Sequence, residues 1–295
     1  MTHLAVLARD STPTLRPPRA GDADRIGRIC FQAFKAIAEK HRFPPDFPTA
    51  EAAIDLMAAL IARPDIHGFI AELDGRVVGS NFLWKDGGVA GIGPITVEPD
   101  VQNGDVGRRL MEAVLERARM GGIAAVRLVQ AAYHNRSLAL YTKLGFAARE
   151  PLSLLRGPAL ALGLDGRSVR SVTEADLEAA NTLCRRIHGF ERASSLREAV
   201  LRGSATLVEH EGRITGYATE IGFFGHAVGE TTEDLKALIG AAKGFSGPGF
   251  MVPTRDAALL RWCLEHGLRI VQPMTLMSLG PYTEPRGAFL PSILY

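Results

Sequence analysis

The chain has 295 residues, 46% of them apolar, and 34 Lys and Arg stand against 32 Asp and Glu for a net charge of +2. That length and apolar share suffice for two buried cores. The interleaved, nearly balanced charges exclude a nucleic-acid-binding stripe and a basic block drawn to a membrane surface.

The opening residues, MTHLAVLARDSTPT, carry no basic start followed by an apolar stretch. No apolar run approaches the roughly 18 residues of a membrane span. Cys30, Cys184 and Cys263 are too scattered for a disulfide framework or a Cys-x-x-Cys metal site. The expectation is a soluble cytoplasmic chain with buried thiols, no metal centre and no membrane or nucleic-acid partner.

In chain order, a strand is predicted near 14–18, then a helix after Gly21 that Asp22 or Asp24 caps and whose Ile26, Ile29 and Cys30 share one face. A second helix covers 49–63, capped by Thr49 and stopped by Pro64. The stretch 68-GFIAELDGRVVGSNFLWK-85 reads as a hairpin turning at Asp74-Gly75. A strand at 89–97 contains Pro94, which cannot donate a ladder hydrogen bond and marks a bulge or a parting of strands. From 105 to 120 the spacing of Val106, Leu110 and Val114 predicts a helix that Gly121-Gly122 terminates. A buried strand at 124–130 precedes the helix of 133-YHNRSLALYTKLGF-146, with Gly145 as its left-handed terminator and a last strand beyond. The fold class is α/β, a mixed sheet between helices.

The pattern then returns. Arg16, Asp22 and Cys30 align with Arg170, Asp176 and Cys184, and Glu72, Gly75, Arg76 and Gly79 align with Glu209, Gly212, Arg213 and Gly216. Gly93 meets Gly225 and Gly145 meets Gly267, so the offset shrinks from 154 to 122 along the chain. Such a unit is too long for a solenoid repeat of about 20 to 50 residues. Two tandem domains are expected: residues 1–155, a linker at 156–168, and a shorter copy at 169–295. The apolar tail 287-GAFLPSILY-295 is expected to pack on a domain and to extend a sheet edge.

Chemistry concentrates in 95-ITVEPDVQNGDVGRRLM-111, where a strand feeds a glycine-bearing turn that opens into a helix. Backbone amides and the positive helix end converge there on an anion seat, although a plain strand-turn-helix joint has the same appearance. Freed backbone groups of Ile95, Thr96 and Val97 can pair with an amide-containing ligand. On the later helix Asn135 can bind a ligand amide or act as the cap, Ser137 can also cap, and a Tyr141 hydroxyl facing a cleft can give up a proton. Glu98 is the first candidate for a general base and His134 the second, both also readable as surface groups.

Val97, the Gln102–Gly107 turn, Asn135, Tyr141, Gly145 and Phe146 together resemble the GCN5-related N-acetyltransferase (GNAT) family. The resemblance covers roughly residues 13–155 with its motifs and 168–280 mostly without them. It implies an acyl-CoA N-acyltransferase-like fold, a mostly antiparallel twisted sheet present twice in tandem. It also implies acetyl-CoA as cofactor, its pyrophosphate on Gln102, Asn103, Gly104, Asp105, Val106, Gly107 and Arg108, its pantetheine arm along Ile95–Val97, and contacts from Asn135 and Ser137. Tyr141 then protonates the departing thiolate while a primary amine, on a small molecule or a protein, attacks directly. Asp105 departs from the family pattern, standing where its first turn glycine falls. The second copy lacks the turn, and Cys263 stands where Tyr141 would be, so a non-catalytic acyl-CoA or metabolite binder is the alternative. A dinucleotide-binding reading is disfavoured by the missing Gly-x-Gly-x-x-Gly. The expected assembly is a monomer or a homodimer.

Overall fold

A computed structural model describes residues 12–294. The opening stretch read above for a leader pattern, up to residue 11, and Tyr295 lie outside the described residues. The first copy runs β1 (Thr14–Arg16), α1 (Ala23–Lys40), α2 (Ala50–Ala62), β2 (Ile66–Leu73), β3 (Arg76–Asp86), β4 (Val89–Ile92), β5 (Thr96–Val97), α3 (Val106–Met120), β6 (Ala125–Ala131), α4 (Asn135–Lys143) and β7 (Ala147–Arg156). The second runs β8 (Arg167–Ser171), α5 (Leu177–His188), α6 (Ala193–Leu201), β9 (Thr206–His210), β10 (Arg213–Ala218), β11 (Ala227–Gly229), α7 (Thr232–Ala241), β12 (Phe250–Pro253), α8 (Ala257–Glu265), β13 (Arg269–Leu279) and β14 (Ala288–Leu290).

Side-chain alternation sorts the helices into layers. Phe82 on β3 points to α1 and α2, where it meets Ile26, Cys30 and Met57. Its neighbour Leu83 points to the other face and meets Met111 and Val114 of α3 and Tyr141 of α4. In the second copy Leu207 and Val208 divide in the same way between the α5–α6 and α7–α8 layers. Each fully buried Ile or Leu of these layers stabilises the fold by about 1.5–3 kcal/mol.

The repeat is present in atomic detail. Arg16 grips Asp22 with both terminal nitrogens, at 2.7 and 2.8 Å, and donates Nε to Glu72 at 2.7 Å. Arg170 grips Asp176 at 2.8 and 2.9 Å and donates Nε to Glu209 at 3.1 Å. Neither aspartate caps the helix that follows by a side-chain bond, contrary to the capping expected for Asp22. Each carboxylate is instead drawn to its arginine and to a backbone amide three residues earlier. Thr49 does cap α2, accepting from the Ala52 amide at 3.2 Å. Gly79 and Gly216 share a reason for being glycine: a Cβ would stand 2.6 Å from the Thr96 carbonyl in one case and 2.8 Å from that of Val228 in the other.

The sheets do not divide at the linker. The larger one runs β1-β2-β3-β4-β6-β13-β7-β12, with β5 paired only to β3, and the smaller runs β14-β11-β10-β9-β8. Thus β13 inserts between β6 and β7, and β12 pairs with β7. Each copy gives the other the strand that follows its last helix, β7 in one direction and β13 in the other. The expected linker falls between the end of β7 and the start of β8, but the copies share a sheet across it: a cut there leaves β6 without its neighbour and exposes a row of backbone donors and acceptors. Ion pairs seal the exchange, with Arg255 donating to the buried Glu150 at 2.7 Å and Arg63 meeting Glu198 at 2.8 Å. The three cysteines are free and buried. Among the described residues no helix is long and apolar enough to cross a membrane.

Candidate active site

β4 runs parallel to β6 as far as Gly91, opposite Arg127, and there the two strands part. Beyond Pro94 the chain resumes as β5 against β3 alone, so the expected 89–97 strand is two strands with a break. Pro94 offers no amide for continuing the ladder, and the wedge between β5 and β6 becomes a cleft of about 800 Å³. Ile95, Thr96 and Val97 line it. Their backbone is not wholly free, because Gln102 Nε2 donates to the Val97 carbonyl at 2.9 Å.

The turn that follows leads to the mouth of α3. Asn103 and Asp105 both adopt positive φ, 76° and 33°, a region that costs a non-glycine residue about 1 kcal/mol or more. Asp105 occupies the cap position of α3 without capping it. Its side chain is 77% exposed and leans on Arg108 Nε at 3.7 Å, at the rim of the cleft that it helps to line. The Val106 amide is taken by the Gly104 carbonyl and the Arg109 amide by Asp105. Gly107 and Arg108 are left as the helix-mouth donors with no backbone acceptor among the described residues, narrower than the expected run from Val106 to Arg108. Arg136, at the start of α4, donates to Asn103 Oδ1 at 3.1 Å and to Gln102 Oε1, fastening the turn and adding positive charge. Sequence reading passed over Arg136; its place directly after Asn135 was the only signal.

On α4 the cap is His134, which accepts from the Ser137 amide at 3.1 Å through Nδ1. Asn135 and Ser137, the expected caps, are the first and third helical residues. Asn135 does not line the main cleft but a smaller cavity of about 350 Å³ beside α1, whereas Ser137 does line the cleft. Burial and Arg136 bring His134 down to about 4. With Nδ1 accepting, the proton of the neutral ring sits on Nε2, which leaves His134 no free lone pair for a base. Tyr141 is 5% exposed and lines the cleft. Burial pushes its hydroxyl up to about 12, against a small opposing pull from a hydrogen bond with Ser137. Such a group is protonated at every physiological pH and can act only as a donor.

Glu98 stands apart from this arrangement. It pairs with Arg25 at 2.5 Å and Arg76 at 3.3 Å and does not line the cleft. Glu230, its counterpart in the second copy, pairs with Arg213, the counterpart of Arg76, also at 3.3 Å. A pair built twice, once in a copy without the glycine turn, is a structural clasp. Its two arginines and its place outside the cleft lining weigh against Glu98 as general base.

In the second copy the equivalent wedge is filled. The register of Gly216 with Gly229 repeats that of Gly79 with Val97, so Ala227, Val228 and Gly229 correspond to Ile95, Thr96 and Val97. On their far side they pair with Leu290, Phe289 and Ala288 of β14. The apolar tail thus extends a sheet edge, as expected, and does so along the edge that the first copy leaves open. The mouth of α7 is closed as well: Asp234 accepts from the Thr231 amide and hydroxyl at 2.9 and 2.8 Å and from Arg167 at 3.0 Å. Cys263 replaces Tyr141 at the seventh residue of its helix, fully buried, with its thiol pushed up to about 12 by that burial.

Two further cleft residues carried no sequence signal. Gln130 is 7% exposed, faces the cleft from β6, and neither amide atom has a partner among the described residues. A buried, unsatisfied amide costs about 1–3 kcal/mol unless a ligand completes it. Asp46 enters from the connection between α1 and α2. An open strand edge, two free helix-mouth amides beside Arg108 and Arg136, and an orphan amide fit a ligand with a chain of amides ending in an anion, as coenzyme A is.

Residues 33–146 match the profile of the acetyltransferase (GNAT) family. The IAA acetyltransferase of Azospirillum brasilense is 36% identical over 117 residues, 39% of this chain and 76% of that protein. A Pyrococcus horikoshii protein classed as an acetyltransferase superposes with a TM-score of 0.70 at 17% identity, over 96% of this chain and 94% of its own. A GCN5-related N-acetyltransferase from Sphaerobacter thermophilus gives 0.60 at 15% over 94% and 98%, and a tandem GNAT protein from the clavulanic acid biosynthesis pathway gives 0.55 at 14% over 92% and 100%. At such identities the likeness to the solved structures is one of fold, and it extends through both copies.

Proposed function

Since the chain belongs to the GNAT family of acetyltransferases, we propose that its first copy is an acetyl-CoA-dependent N-acetyltransferase acting on a primary amine by direct attack. One observation carries this reading: the edge of β5 is open beside the buried hydroxyl of Tyr141 in a single cleft, while the matching edge in the second copy is sealed by β14. Acetyl-CoA supplies an activated thioester whose carbonyl carbon accepts the amine. Ile95–Val97 and Gln130 bind the amide-bearing arm, Gly107 and Arg108 with Arg136 hold the phosphates, and Tyr141 keeps a proton ready for the leaving sulfur. The apolar surroundings that raise the tyrosine also exclude water from the acyl group.

Asp105 at the helix mouth favours the second reading, an acyl-CoA binder without turnover, because a carboxylate within about 4 Å of a phosphate costs up to about 4 kcal/mol at an effective dielectric of 20. Its solvent exposure, which screens the charge, and its Arg108 partner argue for retained binding. Free-thiol release from acetyl-CoA over a panel of amines decides between the two. Release that Tyr141→Phe abolishes supports the transferase; saturable binding without release, indifferent to that substitution, selects the binder.

A further inference from the structure

We propose that the end of the cleft lined by the α1–α2 connection is an acceptor chamber for a primary amine with one positive charge on a flat apolar body, held by the Asp46 carboxylate. The proposal deepens the acetyl-transfer reading and rests on it for the identity of the cleft's other occupant.

The α1–α2 connection is rigid where it forms this end. Pro44, Pro45 and Pro48 restrict its backbone, the Phe43 ring stacks on Tyr133 at 4.3 Å and 9°, and Phe47 sets its edge against Phe34 at 5.9 Å. Asp46 is aimed by a residue of the second copy: Gln272 Nε2 donates to Oδ1 at 3.0 Å, and the Tyr133 hydroxyl in turn donates to Gln272 Oε1 at 3.2 Å. The amide is thereby locked in one orientation, with its nitrogen toward the carboxylate. Among the described residues no Lys, Arg or His forms an ion pair with Asp46. Burial raises its pKa, the mark of a carboxylate short of a countercharge. A cation brought into the cleft supplies that charge.

The remaining walls limit the body that can carry the cation. Phe34, Phe47 and Trp84 come from the first copy, and Phe223, Phe224 and Leu294 from the second. The second-copy wall is one fastened piece, with the Ile293 amide on the Phe223 carbonyl and the Ser292 hydroxyl on that of Phe224, each at 2.8 Å. Its end abuts β4 where the strands part: a Cβ on Gly91 would lie 2.2 Å from the Leu294 carbonyl. Among the described residues only one other carboxylate side chain lines the cleft, Asp105, and it lies at the helix mouth beside Arg108. A polyamine or an aminoglycoside would press its further charges against these rings without a partner, and a peptide N-terminus would strand its backbone amides there. A single ammonium on a flat aromatic body leaves nothing unsatisfied, and the rings stack on that body.

The test is calorimetric titration of 2-phenylethylamine and of spermidine into the full chain, with and without coenzyme A. We expect saturable 2-phenylethylamine binding at least about tenfold tighter than that of spermidine. Asp46→Asn, which keeps the shape and the Gln272 bond, is expected to weaken it about tenfold or more, as is Phe47→Ala, with coenzyme A affinity held within about twofold. Spermidine binding as tightly, or an Asp46→Asn variant that binds like the parent, overturns the chamber. Amine binding without thiol release upholds the chamber and overturns the transferase. Thiol release on amines that 2-phenylethylamine does not compete with does the reverse.

Discussion

Leu152 pairs with Met274, its own counterpart in the second copy. The neighbouring pairs, Pro151 with Thr275 and Ser153 with Pro273, are exchanged by the same relation, so a local two-fold axis passes between β7 and β13. One chain thereby builds the interface that a homodimer would build from two. The consequence is mutual dependence: a chain ending at residue 166 lacks both β12 and β13. It is expected to give no cooperative urea transition and to aggregate in size exclusion, whereas two independent domains would leave it a folded monomer.

Tyr141→Phe removes a donor and little volume. Acetyl-CoA binding should stay within about threefold while kcat falls about 100-fold, the usual scale of general acid catalysis. Because burial holds the hydroxyl near 12, the parent enzyme should show no alkaline loss of kcat from this group below about pH 10. Equal loss of binding and kcat would assign Tyr141 to cofactor packing.

Asp105→Gly relieves a left-handed backbone and removes a negative charge near the proposed phosphate seat. Stability should rise by about 0.5–1 kcal/mol. The side chain is largely exposed, so solvent screens it, and the gain in acetyl-CoA affinity should be about two- to tenfold. An unchanged dissociation constant would remove the phosphates from this turn.

Glu98→Gln tests the clasp. It keeps a hydrogen bond acceptor for Arg25 and loses the charge, so turnover should stay within about twofold while stability drops by about 1 kcal/mol. A fall in kcat of about 100-fold would restore Glu98 as the base.

Acid should unfold the protein through its histidines. Burial first, and nearby arginines second, hold His134 near 4 and His188 near 3, and burial lowers His226 too. Above the unfolded value of about 6.5 neither state binds the proton and the fold bears no penalty. Below it the unfolded chain binds protons that the native state refuses, so stability falls as pH falls, by about 1.4 kcal/mol per unit for each histidine. Urea midpoints between pH 7.5 and 5 should show this slope, and His188→Gln should flatten it. A midpoint independent of pH in that window would mean the rings are solvated.

Much of this was legible in the residues. Thr49 before an apolar run, Asp74-Gly75 between alternating strands, Gly145 after α4 and Pro94 inside a strand are local instructions, each acting over a few bonds through φ, capping or a missing donor. The repeat was equally plain, because Arg16 and Arg170 each need the partners they align with. The cap of α4 was misassigned since a histidine nitrogen can do what Asn135 or Ser137 was expected to do. The place of Glu98 was not legible, since a carboxylate at a strand end looks alike in a cleft or in a clasp until its arginines are located.

The sequence by itself determined the two copies, their elements and the strand-turn-helix joint with its tyrosine, for those follow from periodicity and backbone chemistry within each segment. Only the tertiary structure decided that the copies trade β7 and β13, that β14 seals one wedge and leaves the other open, and that Asp46 faces Gln272 across 226 positions of chain. Contacts between residues so distant in sequence depend on how sheets close their edges and bury their faces together, and no local pattern encodes which edge meets which.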